Sequence, residues 1–345
     1  MTFDIALLLS QDGITAGAVY ALLAMTLVML FTVTRVIFLP QGEFVAFGAL
    51  TLVDLQAGRF PGVALLLLVI GVAVALVDAA VALRRRRPKG LAGSIARNIV
   101  LPLLVIAALW FIDFRTLGLA AQIAIALLVV VPLGPMIYRL AFQPISESSV
   151  LVLLIVAVAV HLALVGLGLM FFGPEGSRVP AFVNADVVIG GIPVSGQALM
   201  IVGASLVLII LMHQFFARSM HGKALRATAS NRVGARLMGI PPAVAGRRAF
   251  TLAALIGAIS GILIAPITTT YYDTGFLIGL KGFVAAIIGG LVSYPLAAAG
   301  AILVGLLESY AAFYSSAFKE VIVFTLIIPV LLWRSLRSGH ALEDQ

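Results

Sequence analysis

Apolar and polar positions along this chain are segregated into long apolar runs and short polar breaks. The runs are continuous rather than alternating, and each has roughly the 15–25 residues that a helix needs to cross a bilayer. Backbone polar groups in lipid must be satisfied internally, so such runs predict helices and not β-barrel strands. The predicted spans lie near residues 12–34, 36–55, 62–82, 98–112, 117–137, 149–172, 199–216, 248–271, 281–292, 296–313 and 319–334. The pattern predicts an all-α polytopic membrane protein of about eleven transmembrane helices in a single transmembrane domain over residues 1–345.

The breaks add detail to this picture. Pro40 and Gly42 interrupt the second span, and Gly289 and Gly290 lie at the end of a short span. Such positions predict broken helices, whose free backbone groups can line a cavity. The longest predicted extracytoplasmic break, residues 173–198, combines Gly, Pro and Asn with short β-branched runs, which predicts an ordered loop with a small hairpin.

Composition supports a membrane environment and excludes several kinds of site. The chain is 62% hydrophobic and only 10% charged, whereas soluble domains average about 25% charged residues. It has no cysteine, and its four histidines lack metal-ligand spacing. No phosphate-binding G-x-x-x-x-G-K-[ST] motif occurs, so we expect no ATP site in this chain and no cofactor of its own. The N-terminal segment does not resemble a cleaved signal peptide, so we expect the first helix to be retained.

The distribution of basic residues predicts the orientation. With the N-terminus outside, seventeen of the 22 Lys and Arg residues fall in inner breaks. The other five fall in outer breaks: Arg59, Arg115, Arg178, Lys281 and Lys319. This asymmetry follows the positive-inside rule and places the C-terminus in the cytoplasm. It also explains the net charge of +8 without nucleic-acid binding. The basic run at residues 84–90 is interpreted as a stop-transfer anchor in contact with anionic lipid.

The inner segment 218–247 is basic and rich in small residues. Asn231 can cap a short helix over residues 232–238, Gly239 suits a left-handed position after it, and the following prolines prevent continuation. A four-residue spacing predicts one apolar stripe, which consists of Leu225, Ala229, Val233 and Leu237. The segment is either a basic loop that obeys the positive-inside rule or a surface for contact with another protein.

Four stretches resemble one family. KALRATASNRVGARLMGI resembles the coupling loop of ABC-transporter permeases of the branched-chain amino acid family, with the pattern R-A-x-A-E-N-x-x-A-A-x-L-x-G-I. GLKGFVAAIIGGLVSYPLAAAGAILVGLLESY, GITAGAVYALLAMTLVMLFTVTRVIFLPQGEFVAFGAL and IYRLAFQPISESSVLVLLIVAVAVHL resemble other parts of that family. The resemblance covers about residues 1–55 and 137–336.

The chain also departs from the family pattern. Ser230 replaces the usual acidic residue of the coupling loop, and Arg232 replaces the usual proline. Pro295-Leu296-Ala297 stands where Pro-Gly-Ala is usual. Residues 56–136 are longer than expected, and the segment 62–112 is interpreted as an extra helix pair. These departures leave the substrate and the partner ATPase open.

The resemblance implies a permease subunit of an importer in the bacterial plasma (inner) membrane. Its expected partners are ABC ATPase subunits that bind the ATP, a second permease copy or sister permease, an extracytoplasmic solute-binding protein and membrane lipid. The implied solutes are branched-chain amino acids or related small polar solutes such as amides or urea. The expected ATPase-coupling residues are Arg226, Ala229, Asn231, Gly234, Ala235, Leu237 and Gly239.

The helix breaks supply candidates for the translocation pathway. Glu43 is a carboxylate within a predicted span, where it either caps the second half-helix or lines a cavity. The paired glycines near residue 290 serve either close helix packing or a gating movement. The pathway candidates are Tyr20, Gln41, Gly42, Glu43, Gly289, Gly290 and Ser293.

Other polar residues within spans are expected to be structural. We expect Glu308 to pair with Lys281 or a backbone group, and Asp78 to pair with the basic run. We expect His161 to make an interhelical hydrogen bond, with no titratable neighbour for a proton relay.

Two other classes of function remain. A stand-alone secondary transporter or channel would need paired coupling charges within the spans, and none is evident. An intramembrane enzyme would need a nucleophile and a base, but Ser293 and His161 share no local motif.

Overall fold

A computed structural model describes residues 3–84, 91–189 and 192–325, together with 328, 329 and 332. Within these residues the chain forms thirteen helices and one two-stranded sheet. The helices are α1 (Phe3–Thr34), α2 (Gln41–Gln56), α3 (Val63–Arg84), α4 (Leu91–Trp110), α5 (Leu119–Phe142), α6 (Val150–Phe172), α7 (Gly196–Arg218), α8 (Met220–Ser230), α9 (Arg232–Leu237), α10 (Pro242–Ile264), α11 (Thr274–Ile288), α12 (Tyr294–Tyr314) and α13 (Lys319–Thr325).

Eight of the described helices are long and apolar enough to cross a membrane: α1, α3, α4, α5, α6, α7, α10 and α12. The chain is therefore an all-α polytopic membrane protein. The predicted count of about eleven is not confirmed, because α2, α11 and the described part of α13 have only 16, 15 and 7 residues. The prediction for the basic run at 84–90 lies outside the described residues, apart from Arg84.

Several predicted helix boundaries are wrong. Helix α1 begins at Phe3 rather than near residue 12, and Ser10 lies within it. The Ser10 hydroxyl donates to the Ala6 carbonyl at 2.8 Å within the helix and lies 2.9 Å from the Tyr310 hydroxyl. The span predicted at 281–292 is helix α11, which ends at Ile288 because a tight turn follows.

Close contacts between helices depend on glycine. A Cβ built on Gly17 of α1 would lie 2.8 Å from the Cα of Ile302 on α12. A Cβ on Gly48 of α2 would lie 2.7 Å from the Cα of Ala258 on α10. Since lipid tails supply no hydrophobic drive between helices, this close approach of backbones provides the van der Waals contact that holds them together.

The predicted hairpin in the 173–198 loop is confirmed. Strands β1 (Asp186–Ile189) and β2 (Ile192–Ser195) pair antiparallel, with Asp186 opposite Ser195. The start of the loop is also held, because Ser177 forms a β-bridge with Thr270.

Breaks that the charge pattern assigns to one side of the membrane lie together. Arg232, between α8 and α10, donates to the carbonyl of Ser146, between α5 and α6, at 3.2 Å. The assignment of Lys281 to an outer break is wrong, because Lys281 is buried within α11. Asp78 pairs with Arg139 and accepts a hydrogen bond from Ser94, whereas its predicted partner, the basic run, lies outside the described residues apart from Arg84.

Candidate functional site

The segment between α7 and α10 folds as two short helices joined by a bend at Asn231. Its backbone there is extended (φ −146°, ψ 100°), so helix α8 ends, and the Asn231 Oδ1 accepts from the Gly234 N–H at 2.8 Å to cap α9. Gly239 follows with φ of +80°, a conformation that favours glycine. The predicted cap and the left-handed glycine are both confirmed.

The predicted single apolar stripe is wrong. It assumed one continuous helix, but the extended backbone at Asn231 interrupts the helical periodicity between α8 and α9. Leu225 is therefore buried with 1% exposure, whereas Leu237 is 82% exposed. The exposed apolar side chains of α9 and its C-terminus are Val233, Leu237 and Met238.

The remaining coupling candidates divide between the surface and the interior. Arg226, Ala229 and Gly239 are exposed, and Gly234 is half-buried. Ala235 is buried, so its side chain anchors α9 instead of facing solvent. We define the α8–α9 surface by its exposed residues Arg226, Ala229, Val233, Arg236, Leu237 and Met238.

A groove of about 630 Å³ lies beside the α8–α9 surface. The loop at residues 143–149 contributes Ser146 and Glu147 to it, and α9 contributes Arg232, Val233 and Arg236. The groove thus combines a basic rim with apolar surface, which suits a protein partner that offers acidic and apolar side chains.

A buried hydrogen-bonded pair of titratable side chains lies at the start of α2. Glu43 Oε1 is 2.9 Å from His161 Nδ1 on α6, and the His161 ring stacks on Phe276 with centroids 4.4 Å apart. The interhelical hydrogen bond predicted for His161 is confirmed, but the statement that it has no titratable neighbour is wrong. The capping role considered for Glu43 is also wrong, because Pro40 stands at the N-cap and the carboxylate turns to α6.

Two further candidates at this break have different roles. Gln41 is buried, and its Nε2 donates to the Ala253 carbonyl of α10 at 2.9 Å. Gly42 provides a close contact with α11, since a Cβ there would lie 2.9 Å from the backbone nitrogen of Gly279. Among the described residues, Gln41 Oε1 and Glu43 Oε2 are buried without a hydrogen-bond partner. An unpaired buried acceptor is costly unless water or a ligand reaches it.

Tyr20 belongs to a second polar cluster, between α1, α11, α12 and α13. Its hydroxyl donates to Glu308 Oε2 at 2.6 Å, and Lys281 Nζ donates to Glu308 Oε1. Lys281 also contacts Glu320 Oε1 at 3.1 Å. The predicted pair of Glu308 with Lys281 is confirmed, and Tyr20 is an additional partner.

Gly289, Gly290 and Ser293 lie in the tight turn between α11 and α12. Gly290 has φ of +67°, and Ser293 caps α12 by accepting from the Leu296 N–H at 3.4 Å. A Cβ on Gly289 would lie 2.7 Å from the Ala297 nitrogen. These contacts fit a packing role, and they do not bring the turn to the Gln41–Glu43 break.

Sequence reasoning did not identify the partner of Glu43, although it had considered both residues. Glu43 and His161 are 118 residues apart, and no local motif connects them. The available signal was that each is a polar residue within an apolar run, where such residues need a partner.

Residues 94–331 match the sequence model of the family described as "Branched-chain amino acid transport system / permease component". The chain is similar to the high-affinity branched-chain amino acid transport system permease protein BraD of Pseudomonas aeruginosa, with 27% identity over 67% of this chain and 78% of that protein. It is also similar to the high-affinity branched-chain amino acid transport system permease protein LivH of Escherichia coli, with 29% identity over 66% of this chain and 77% of that protein.

Among solved structures, a chain of PsaBC from Streptococcus pneumoniae in complex with Fab covers 94% of this chain. Its TM-score is 0.37 and its identity is 13%, which is too distant to support an argument about fold or function.

Proposed function

This chain belongs to the branched-chain amino acid family of ABC-transporter permease components, and from this premise we propose that it forms a translocation pathway driven by separate ATPase subunits. Members of the family are permease subunits and not enzymes. The membership of this chain in the family supports two general kinds of partner, ATPases and solute-binding proteins. The specific coupling, the pathway and the solute are our proposals.

The α8–α9 surface is the observation on which ATPase coupling depends. It exposes Val233, Leu237 and Met238 beside Arg226 and Arg236. Exposed apolar side chains within a charged surface are typical of protein contacts. The Asn231 cap connects α9 to α8, and the Arg232–Ser146 hydrogen bond joins α9 to the loop between α5 and α6, so force on α9 would reach α5, α6 and α10.

The Gln41–Glu43 break is the proposed pathway segment. Its unpaired acceptors, Gln41 Oε1 and Glu43 Oε2, suit donor groups such as the ammonium of an amino acid or the N–H of an amide. Tyr20, Gly42, Gly289, Gly290 and Ser293 remain pathway candidates, with packing or capping contacts as described. The proposed solutes are branched-chain amino acids, with amides and urea as related small polar solutes.

The remaining partners follow from the same proposal. A second copy of this chain or a sister permease would complete the pathway, a binding protein would deliver solute outside, and the ATPases would hold the ATP. This arrangement places the N-terminus outside and residues 218–247 in the cytoplasm. The segment 62–112 stays predicted as an addition to the family pattern.

The coupling proposal is tested by the variant Leu237→Asp, which places a charge at the centre of the exposed apolar surface. We expect it to lose co-purification with the ATPase subunits, because desolvating an unpaired carboxylate in an interface is costly. Val188→Asp on β1 is the matched control, since Val188 is also an exposed apolar residue but lies in the hairpin. Undiminished ATPase capture by Leu237→Asp, with both variants inserted in the membrane, would refute docking at α9.

One observation favours the second candidate, a stand-alone secondary transporter. Such a protein needs paired titratable groups within its spans, and Glu43 with His161 and Lys281 with Glu308 are two such pairs. Uptake into vesicles driven by a proton gradient, without any nucleotide, would support this candidate over the ABC proposal.

A further inference from the structure

A cavity of about 480 Å³ lies between α3, α4, α5 and α10, and it shares no lining residue with the groove beside the α8–α9 surface. Its lining is basic at one end and apolar elsewhere. The basic residues are Arg97, Arg139, Arg247 and Arg248. They come from the start of α4, the end of α5 and the start of α10, so three helix ends meet there.

The positive charge in this cavity exceeds the negative charge. Asp78 Oδ1 accepts from Arg139 Nε at 2.8 Å and so neutralises one arginine. Arg97, Arg247 and Arg248 have no ion pair among the described residues. The positive charges of Arg97 and Arg139 also act on Arg247, and the negative charge of Asp78 offsets this repulsion only in part.

The apolar wall faces the hydrocarbon. Leu101 on α4 and Leu128 on α5 line the cavity and are 53% and 52% exposed. Both helices are long and apolar enough to span the membrane. Leu128 lies about three helical turns from Arg139 along α5, so the basic end is at the membrane surface and the apolar wall lies deeper.

We infer that this cavity binds an anionic phospholipid, with its phosphate on Arg97, Arg247 and Arg248 and an acyl chain along Leu101 and Leu128. Arginine binds phosphate oxygens through its planar fork of donors. Basic pockets between transmembrane helices on the cytoplasmic side bind lipid head groups. A free phosphate would satisfy the arginines but would leave the apolar wall uncovered, so the occupant is a lipid.

A series of hydrogen bonds between side chains positions the basic end of the cavity. Asn98 Nδ2 donates to Ser94 Oγ at 3.0 Å, Ser94 donates to Asp78, and Asp78 holds Arg139. This series of hydrogen bonds fastens α4 to α3 and α5. The lipid phosphate would then fasten α4 to α10, which gives the 62–112 segment a role as one wall of a lipid site.

The test is native mass spectrometry of the full chain in detergent, titrated with phosphatidylglycerol or with phosphatidylcholine of the same acyl chains. We expect wild type to retain phosphatidylglycerol more than about tenfold better than phosphatidylcholine. The triple variant Arg97→Gln/Arg247→Gln/Arg248→Gln should lose that preference. Arg35→Gln is the matched control, since Arg35 is an exposed arginine on the same predicted side of the membrane. We expect this variant to keep the preference for phosphatidylglycerol.

A second variant tests the inference even if the triple variant does not fold. Leu128→Trp fills the apolar wall without a change of charge, and we expect it to weaken phosphatidylglycerol binding while the protein stays folded. Equal retention of the two lipids by wild type, or unchanged retention in both variants, would overturn the inference. Displacement of phosphatidylglycerol by inorganic phosphate alone would also overturn it, because it would identify a free-anion site.

Discussion

Two ionisable residues that are buried in the described helical core, Glu43 and Lys281, contact titratable partners on other helices. Glu43 is buried with 0% exposure against His161, and Lys281 is buried against Glu308. A buried pair adds little net stability, but removal of one partner leaves an uncompensated charge and costs about 3–5 kcal/mol. These pairs therefore connect helices that are distant in sequence. Loss of one partner would destabilise the protein more than loss of an apolar contact of similar size.

The variant His161→Ala tests the first pair. We expect the free energy of unfolding to fall by about 3 kcal/mol or more, because Glu43 is left buried and unpaired. The double variant His161→Ala/Glu43→Leu should recover most of the loss. His213→Ala, at an exposed histidine of α7, is the control. Denaturant unfolding in detergent measures all three, and equal losses for His161→Ala and His213→Ala would contradict the pair.

The Asn231 cap gives a second prediction at this scale. Asn231→Ala removes the acceptor of the Gly234 N–H and should destabilise α9 by about 1 kcal/mol, whereas Asn231→Asp keeps the acceptor. Hydrogen exchange of residues 232–237 should therefore be about fivefold faster in the alanine variant only. Equal protection in the two variants would indicate that the cap does not hold α9.

Between elements, packing depends on small residues at the helix contacts. Gly13 and Gly17 of α1 form a G-x-x-x-G spacing, and both meet the backbone of α12. Gly48 plays the same part between α2 and α10. A side chain at such a position cannot be accommodated by rotamer change, because the obstruction is backbone.

The variant Gly17→Val tests this packing, and Gly166→Val is its control. A Cβ at Gly17 would meet the Ile302 backbone at 2.8 Å, whereas a Cβ at Gly166 of α6 has no neighbour within 4 Å among the described residues. We expect Gly17→Val to destabilise the protein by about 1–3 kcal/mol and Gly166→Val to have little effect. Similar thermal unfolding of the two variants would contradict a close α1–α12 contact.

At this scale, the sequence predicted the features that depend on residues close together in the chain. The Asn231 cap, the left-handed Gly239 and the 186–195 hairpin depend on neighbouring residues, and all three are confirmed. The partners of Glu43 and Asp78 depend on which helices become neighbours, and no local pattern specifies that. The predicted apolar stripe was wrong because the extended backbone at Asn231, which ends α8, also interrupts the four-residue spacing between α8 and α9.

For the whole molecule, the distribution of charge predicts that the α8–α9 surface and the hairpin lie on opposite sides of the membrane. The chain has no cysteine, so single cysteines can be introduced without a background. We expect a membrane-impermeant thiol reagent applied to intact cells to label Val188→Cys but not Met238→Cys, both of which are at exposed positions. Labelling of Met238→Cys from outside would reverse the orientation.

The most direct test of the account is solute uptake by proteoliposomes that contain this chain and its partner ATPases. Uptake of a branched-chain amino acid delivered by the binding protein should require ATP hydrolysis and should be lost in Leu237→Asp but retained in Val188→Asp. Uptake that persists without ATPase subunits or nucleotide would contradict the proposal that α9 transmits force from an ATP-driven partner.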